Sequence, residues 1–281
     1  MENSETVDKF VSYMRGERKS QYTIKEYRSM AAMFLKFSQK KLKDTNPEDI
    51  ERFKHHLATE KNFSKNSQYI AIHAVKLLFR SSGITPPMNL IPPKRSRKMP
   101  NYLSEKEASM LIKASEKDLL TNLIVSLLLY TGLRVGELCR INIDNIDTDE
   151  GVITVKGGKG DRDRIVIIPE ICKDLSHKYL MERYGKNTRD NAFLISHKNT
   201  RFNPSTVERI VKRVSAEAGI QKKVTPHVLR HTFATSVLRM GGDIRFIQQI
   251  LGHASVATTQ IYTHVDENTL REMYNKFGPK Y

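Results

Sequence analysis

The residues best suited to chemistry lie in three short segments of the chain. Near the C-terminal end, LGHASVATTQIYTH (251–264) places a tyrosine nine positions after a histidine. Upstream, GLRVGE (132–137) and HVLRH (227–231) each contain an arginine. A guanidinium group can bind a phosphate through two parallel hydrogen bonds, and it stays charged at any relevant pH. Together the segments predict a site in which two arginines bind a phosphodiester and the Tyr262 hydroxyl attacks it.

Each of these residues also has an ordinary structural explanation. Arg134 and Glu137 are three positions apart, which is typical of an ion pair on one helix face. His227 and Arg230 share a face by the same spacing, and His231 follows four residues after His227. A zinc site is not favoured there, because no glutamate follows His227 and no third ligand is close in sequence. A lone tyrosine in a helix is more often core than nucleophile, since its free pKa is about 10.

The charge of the chain indicates the partner. Lys and Arg number 47 and Asp and Glu 31, which gives a net charge of +16 and favours a polyanion, with nucleic acid the first candidate. Cys139 and Cys172 lack CxxC spacing, so a reducing cytoplasmic setting is expected. No signal peptide is predicted, and the apolar stretch at 123–130 is too short to span a membrane.

The pattern of apolar residues predicts a mainly α-helical protein with a small β-sheet, in two domains. Residues 1–85 predict four amphipathic helices, with caps at Asn46-Pro47 and Ser64. Residues 86–101 contain five prolines and form a linker. Its four cations suit either a solvated spacer or a basic strap along DNA phosphates, which we favour; they are Lys94, Arg95, Arg97 and Lys98.

Residues 102–281 predict the second domain. Ser104 and Glu107 form a capping box, and the nearly all-apolar segment 118–131 predicts a buried central helix that Gly132 ends. A β-hairpin is expected from 152–156 and 164–168 around the turn GGKGDRD. Further helices are expected at about 172–184, 204–218, 226–240, 243–251 and 255–263.

Two features of this domain allow more than one interpretation. Lys159 lies in the hairpin turn, where a lysine is usually only solvated; it could instead donate a proton to a departing 5′ oxygen, with Lys156 as the competitor. In the tail, 266–281, Asp266 can cap a helix with one apolar face, although the segment is too short to be stable alone. The tail therefore packs either on its own domain or on a neighbouring subunit.

The three segments, in this order, closely resemble the signature boxes of the tyrosine recombinase (phage integrase) family. The resemblance covers residues 102–265, and residues 1–85 resemble the family's core-binding, SAM-like domain. The size and the YTH ending look most similar to the Xer recombinases, the archaeal ones included.

The resemblance implies a role for each matching position. Tyr262 would be the nucleophile that forms a 3′-phosphotyrosyl link, and Lys159 the general acid. The other matching positions form the two arginine-containing boxes and the His box; they are Arg134, Glu137, His227, Arg230 and His253.

The resemblance also implies a function. The protein would be a site-specific recombinase that acts on duplex DNA at a specific site, as a homo-oligomer such as a tetrameric synapse, without ATP, metal or other cofactor. Xer-type resolution of chromosome dimers is the favoured use, and integration of a mobile element or relaxation by a type IB topoisomerase are the alternatives. A DNA-binding module that has lost catalysis is disfavoured by the presence of Tyr262 and both arginines.

Overall fold

The computed structural model describes residues 2–281 except 88–89, 94–100, 158–162, 186–187, 189, 244–246, 248–249 and 252–266, and it describes no side chains at 2–3 and 267–270. The chain divides into two compact units, Met1–Met99 and Pro100–Tyr281. The predicted class is confirmed, since helices dominate and the strands form one small sheet. None of the helices in the described ranges is long and apolar enough to cross a membrane.

The N-terminal unit contains the four predicted helices. They are α1 (Glu2–Gly16), α2 (Gln21–Ser38), α3 (Pro47–Thr59) and α4 (Lys65–Ser81). Both predicted caps are present: the Asn46 side chain accepts a hydrogen bond from the Asp49 amide, and the Ser64 hydroxyl accepts one from the Ser67 amide. Three phenylalanines meet in its core, where the ring of Phe34 lies 5.0 Å from that of Phe53 and 6.1 Å from that of Phe79.

A buried carboxylate fixes the start of α3. The Asp49 side chain is 1% exposed and accepts bonds from Lys40 Nζ at 2.8 Å, Arg52 Nη2 at 2.6 Å and the Asn46 amide at 3.1 Å. Burial by itself would raise the pKa of Asp49, but these donors outweigh it and lower the pKa to about 2. The charged form of Asp49 therefore stabilises the fold of this unit.

The C-terminal unit consists of helices around one three-stranded sheet. Its elements are α5 (Glu105–Ser115), α6 (Leu119–Thr131), α7 (Val135–Arg140), β1 (Ile146–Asp147), β2 (Val152–Val155), β3 (Arg164–Ile167), α8 (Glu170–Tyr184), α9 (Pro204–Glu217), α10 (Pro226–Arg239) and α11 (Glu267–Phe277). The predicted hairpin is β2–β3, with Ile153 opposite Val166. The sequence did not indicate β1, which adds a third antiparallel strand beside β2.

Helix α6 is the centre of this unit, as predicted. Every residue from Leu123 to Thr131 is buried, and the helix packs against α5, α8 and α10. It ends at Gly132, whose φ of +64° lies in the left-handed region that favours glycine. The capping box predicted at Ser104 is also present, and the Asn203 side chain caps α9.

Two of the predicted C-terminal helices are described only in part or not at all. Of 243–251, the residues Ile247, Ile250 and Leu251 are helical and buried, whereas 255–263 lies outside the described residues. Asp266, the predicted cap of the tail, lies outside them as well.

The described side chains of the tail pack on their own unit. Tyr274 is buried and its hydroxyl donates to the Tyr130 carbonyl oxygen at 2.6 Å. The ring of Tyr281 lies 5.3 Å from that of Tyr130, and its hydroxyl is 3.0 Å from Ser236 Oγ. Met273 and Phe277 pack in the same apolar cluster as Tyr274. In this single chain the described part of the tail therefore packs on its own domain, which is one of the two expected positions.

Asp49→Asn is expected to lower the free energy of unfolding of the N-terminal unit by about 1 to 2 kcal/mol at neutral pH. The native pKa of Asp49 is lowered from 3.8 to about 2, so this stability is present above 3.8 and is lost as the pH falls toward 2. Urea unfolding of the variant and the parent across that range measures the difference. Glu48→Gln, at an exposed residue in the same helical turn, is the control. A loss from Asp49→Asn that stays constant down to the native pKa would contradict the explanation.

Candidate active site

A second buried carboxylate, that of Glu137, forms the centre of the candidate site. Glu137 lies in α7 and its side chain is 2% exposed. Its Oε2 accepts the backbone N–H of Arg134 at 2.8 Å, and its Oε1 accepts Arg134 Nη1 at 2.6 Å. Glu137 therefore caps the start of its own helix and orients the arginine that precedes it.

Strand β3 supplies a second arginine to the same carboxylate. Arg164 donates from Nη1 to Glu137 Oε1 at 2.9 Å and from Nη2 to Glu137 Oε2 at 2.8 Å. Its Nε donates to the Ile250 carbonyl oxygen at 2.9 Å. Arg164 thus joins the hairpin, α7 and the residues that precede segment 252–266.

The sequence reasoning missed Arg164, although a signal was available. Side chains two positions apart on a strand point to the same face of the sheet. Val166 is 1% exposed and belongs to the core, so Arg164 lies on the core side of β3. An arginine on the inward face of a strand requires a buried partner.

Helix α10 brings the third arginine. Arg230 is 7% exposed in its side chain, and its Nη1 lies 4.0 Å from Glu137 Oε2. Nη1 also donates to the Gly132 carbonyl oxygen at 2.6 Å, and Nη2 donates to the Leu251 carbonyl oxygen at 2.7 Å. Burial and the nearby charge of Arg134 lower the pKa of Arg230 to about 10, which leaves it protonated at neutral pH.

These contacts connect the three segments that the sequence singled out. Arg134 belongs to the first segment, Arg230 to the second, and the Leu251 carbonyl to the third. Three guanidinium groups surround one carboxylate, which leaves a surplus of two positive charges. Arg134 is the most exposed of the three, at 28% against 12% for Arg164 and 7% for Arg230. Such a cluster suits an anion with several oxygens, such as a phosphate.

Two histidines lie on the exposed surface of α10 beside Arg230. The helix begins at Pro226 after the Thr225 cap, so His227 lies in its first turn and His231 one turn further on. Burial and the proximity of His227 and Arg230 lower the pKa of His231, which favours its neutral form. No group of three or more potential metal ligands occurs among the residues that the structure describes.

Several predicted positions cannot be compared with the structure. Lys159, His253 and Tyr262 lie outside the described residues. So do the four linker cations Lys94, Arg95, Arg97 and Lys98. Lys156, the alternative to Lys159, is described as an exposed residue directly after β2. The predicted site residues that the structure describes are therefore Arg134, Glu137, His227 and Arg230.

Two family models match this chain. Residues 101–269 match the phage integrase family, and residues 7–82 match the phage integrase N-terminal SAM-like domain. Together the two matches cover most of both units.

The chain is similar to named recombinases over nearly its whole length. It is 39% identical over 275 residues to the tyrosine recombinase XerA of Pyrococcus furiosus, covering 96% of this chain and 92% of that protein. It is 55% identical to a XerA recombinase of known crystal structure, covering 99% of this chain and all of that one, with a TM-score of 0.55. A lambda integrase tetramer bound to a Holliday junction shares the fold, with a TM-score of 0.72 at 19% identity over 91% of this chain and 75% of that one.

Gly132→Ala is expected to destabilise the C-terminal unit by about 2 to 5 kcal/mol. A side chain at positive φ costs about 1 to 2 kcal/mol. The added methyl group would also lie 2.5 Å from Phe233 Cδ1 and 2.7 Å from Leu251 Cδ2, and such overpacking costs about 1 to 3 kcal/mol. Scanning calorimetry of the full chain measures the loss.

Gly219→Ala is the matched control for this prediction. Gly219 has a φ of +69°, and an added methyl group there meets nothing within 4 Å. This variant should lose only the backbone contribution of about 1 to 2 kcal/mol. Equal losses in the two variants would show that the tight packing at Gly132 contributes nothing.

Proposed function

The chain belongs to the phage integrase family of tyrosine recombinases, enzymes that break and rejoin DNA, and we propose that it is a site-specific recombinase of the Xer type. The family membership confirms the resemblance drawn from the three segments. The observation that carries the proposed chemistry is the cluster in which Arg134 and Arg230 lie beside Glu137 while Arg230 also binds the Leu251 carbonyl. It joins all three segments and leaves positive charge for a phosphate.

In the proposed reaction Tyr262 is the nucleophile. Its hydroxyl oxygen forms a bond to the phosphorus while the bond from phosphorus to the 5′ oxygen breaks; the tyrosine gives up one proton and the 5′ oxygen takes up one, so no net proton is gained or lost. The product is a 3′-phosphotyrosyl link and a free 5′ hydroxyl. The 5′ hydroxyl of a partner strand then attacks the phosphotyrosine, which restores the DNA backbone and releases Tyr262. Each step exchanges one phosphate ester for another, so no ATP is consumed.

Arg134 and Arg230 are proposed to neutralise the phosphate during both attacks. Negative charge builds up on the non-bridging oxygens as the phosphorus becomes five-coordinate, and fixed donors lower the barrier most at that point. Glu137 holds Arg134 by two hydrogen bonds, so the guanidinium group does not need to reorganise during the reaction. His227 and His253 are proposed to add hydrogen bonds to the same oxygens.

Lys159 is proposed as the general acid that protonates the departing 5′ oxygen. Its position in the glycine-rich turn after β2 supports this role, because such a turn can reach into a groove of DNA. Lys156 precedes that turn and is the alternative.

The proposed substrate is duplex DNA that carries a specific recombination site, bound by two or more copies of this chain. The net charge of +16 and the linker cations Lys94, Arg95, Arg97 and Lys98 support phosphate contacts along the duplex. The lambda integrase tetramer on a Holliday junction supports a tetrameric synapse by likeness of fold. Among uses of such a reaction, we favour the resolution of chromosome dimers, because the similar proteins over the full chain length are named Xer recombinases.

Tyr262→Phe is expected to bind site DNA with the parent's affinity but to form no covalent adduct, since it loses the attacking oxygen and keeps the ring. A nicked suicide duplex traps the adduct, which a denaturing gel resolves from free protein. Tyr184→Phe, at an exposed residue of the same unit, is the control and should form adduct at the parent rate. Adduct formation by Tyr262→Phe at that rate would remove Tyr262 as the nucleophile.

Lys159→Ala is expected to slow cleavage of an ordinary phosphodiester by about 10²-fold, as loss of a general acid typically does. A 5′-bridging phosphorothiolate has a leaving group that needs little protonation, so it should restore cleavage by this variant. Lys156→Ala is the comparison and should cleave both substrates at similar rates. Restoration of Lys156→Ala in place of Lys159→Ala would move the role to Lys156.

A further inference from the structure

Arg164 takes part in the site without being one of the positions that the family resemblance assigns. Resting on the function proposed above, we infer that Arg164 is a positioning residue for DNA cleavage: it fixes Glu137, and through Glu137 the orientation of Arg134, and it holds the backbone that leads to the His253 segment. The inference rests on three hydrogen bonds that Arg164 donates from one partly buried position.

The first part of the argument concerns the acceptors of Glu137. Oε1 accepts Arg134 Nη1 at 2.6 Å and Arg164 Nη1 at 2.9 Å. Oε2 accepts the Arg134 amide and Arg164 Nη2, both at 2.8 Å. Each carboxylate oxygen therefore has one partner from Arg134 and one from Arg164. The plane of the carboxylate is fixed from both sides, and the fork of Arg164 supplies one side entirely.

The second part concerns two consecutive carbonyl groups. Arg164 Nε binds the carbonyl of Ile250, and Arg230 Nη2 binds the carbonyl of Leu251. These donors come from β3 and α10, so two separate elements hold the same stretch of backbone. His253 follows two residues later in the sequence. Arg164 thus links the placement of Arg134 to the start of the segment that contains His253 and Tyr262.

The third part separates positioning from direct contact with phosphate. The Arg164 side chain is 12% exposed, and each of its three nitrogens donates to an acceptor within the protein. A lysine at 164 would keep the charge but could not supply the planar fork together with the third bond.

A change at Arg164 also has an effect on pH dependence that loss of packing would not have. Among the residues that the structure describes, the charged groups that face Glu137 are Arg134 at the N-cap of α7, Arg164 on β3 and Arg230 on α10. Burial raises the pKa of Glu137, but the hydrogen bonds from Arg164 and then Arg134 outweigh it and lower the pKa to about 2. Without Arg164 the pKa of Glu137 rises. Cleavage that needs the charged carboxylate is then lost as the pH falls through the raised pKa.

The test compares Arg164→Lys and Arg164→Gln with the parent in the full chain. The rate of adduct formation on a nicked suicide duplex is measured at saturating DNA, below the unfolding temperature of every variant, and the Kd for the same duplex is measured separately. Arg164→Lys is expected to cleave about 10-fold to 10²-fold more slowly, because small misplacement of a reacting group costs that much. Its Kd should stay within about 3-fold of the parent's, since many other cations bind the DNA phosphates. Arg164→Gln should in addition lose activity on the acid side of the pH profile, where the parent does not.

Arg183→Lys is the matched control. Arg183 is also buried, and it donates to the carbonyl oxygens of Ala192 and Asp190, which are not part of the Glu137 cluster. This variant should lose thermal stability while it keeps the parent's cleavage rate and pH profile. A double variant with Glu137→Gln extends the test. If Arg164 acts through Glu137, then adding Arg164→Lys to Glu137→Gln lowers the rate little further.

Three results would overturn the inference while the parent forms adduct normally. The first is a cleavage rate of Arg164→Lys equal to the parent's. The second is a loss of DNA affinity in Arg164→Lys as large as its loss of rate. The third is a double variant whose loss of rate equals the product of the losses in Arg164→Lys and Glu137→Gln. If the parent itself forms no adduct on site DNA, the proposed function fails instead, so the two failures are distinguishable.

Discussion

The structure of the site depends on one buried carboxylate that must stay charged. Glu137 is almost completely removed from water, and an unpaired charge in that position would cost several kcal/mol. Three arginines surround it, and without the carboxylate they would repel one another. The carboxylate and the arginines therefore stabilise one another, and this interaction brings α7, β3 and α10 together. The surplus of positive charge that remains is what a phosphate can neutralise, so in the proposed function the electrostatics that hold these elements together also prepare the site for DNA.

A comparison with Asp49 in the N-terminal unit shows why we place the proposed site at Glu137. Both carboxylates are nearly fully buried, and the pKa of each is lowered to about 2. The cations of Asp49 are open to water, with Lys40 at 39% and Arg52 at 65% exposure, so solvent screens them. The arginines around Glu137 are far less exposed, and two of them also hold backbone carbonyls. The arginine charges around Glu137 are weakly screened by water and can act on a ligand. The charges of Lys40 and Arg52 are screened, and they mainly stabilise the start of α3.

The sequence predicted those features that depend on local patterns. Asn46, Ser64 and Ser104 cap helices where expected, and Gly132 ends α6, because caps and left-handed turns are determined by a few adjacent residues. The sequence segments identified Arg134 and Arg230 as candidates, but they did not show that both arginines lie beside Glu137. Strand β1 was missed because a strand of two residues is too short to show an alternation of apolar and polar side chains. Arg164 was missed because its spacing from Val166, the available signal, was not used, and an arginine at the start of a strand is typically solvated. Roles for Lys159, His253 and Tyr262 rest on the sequence and the family, and they stay predictions.

The central claim is that the surplus charge of the arginine cluster serves to neutralise the scissile phosphate. Replacement of one non-bridging oxygen by a methyl group gives a methylphosphonate, which has no negative charge and needs no such neutralisation. The direct measurement is the rate of adduct formation by Arg230→Ala on an ordinary duplex and on a duplex with a methylphosphonate at the cleavage position. We predict that the variant loses at least about 10²-fold on the phosphate, as loss of a charge-stabilising donor does, and recovers most of that loss on the methylphosphonate. An equal defect on both substrates would contradict the claim, because Arg230 would then act only by holding the Gly132 and Leu251 carbonyls.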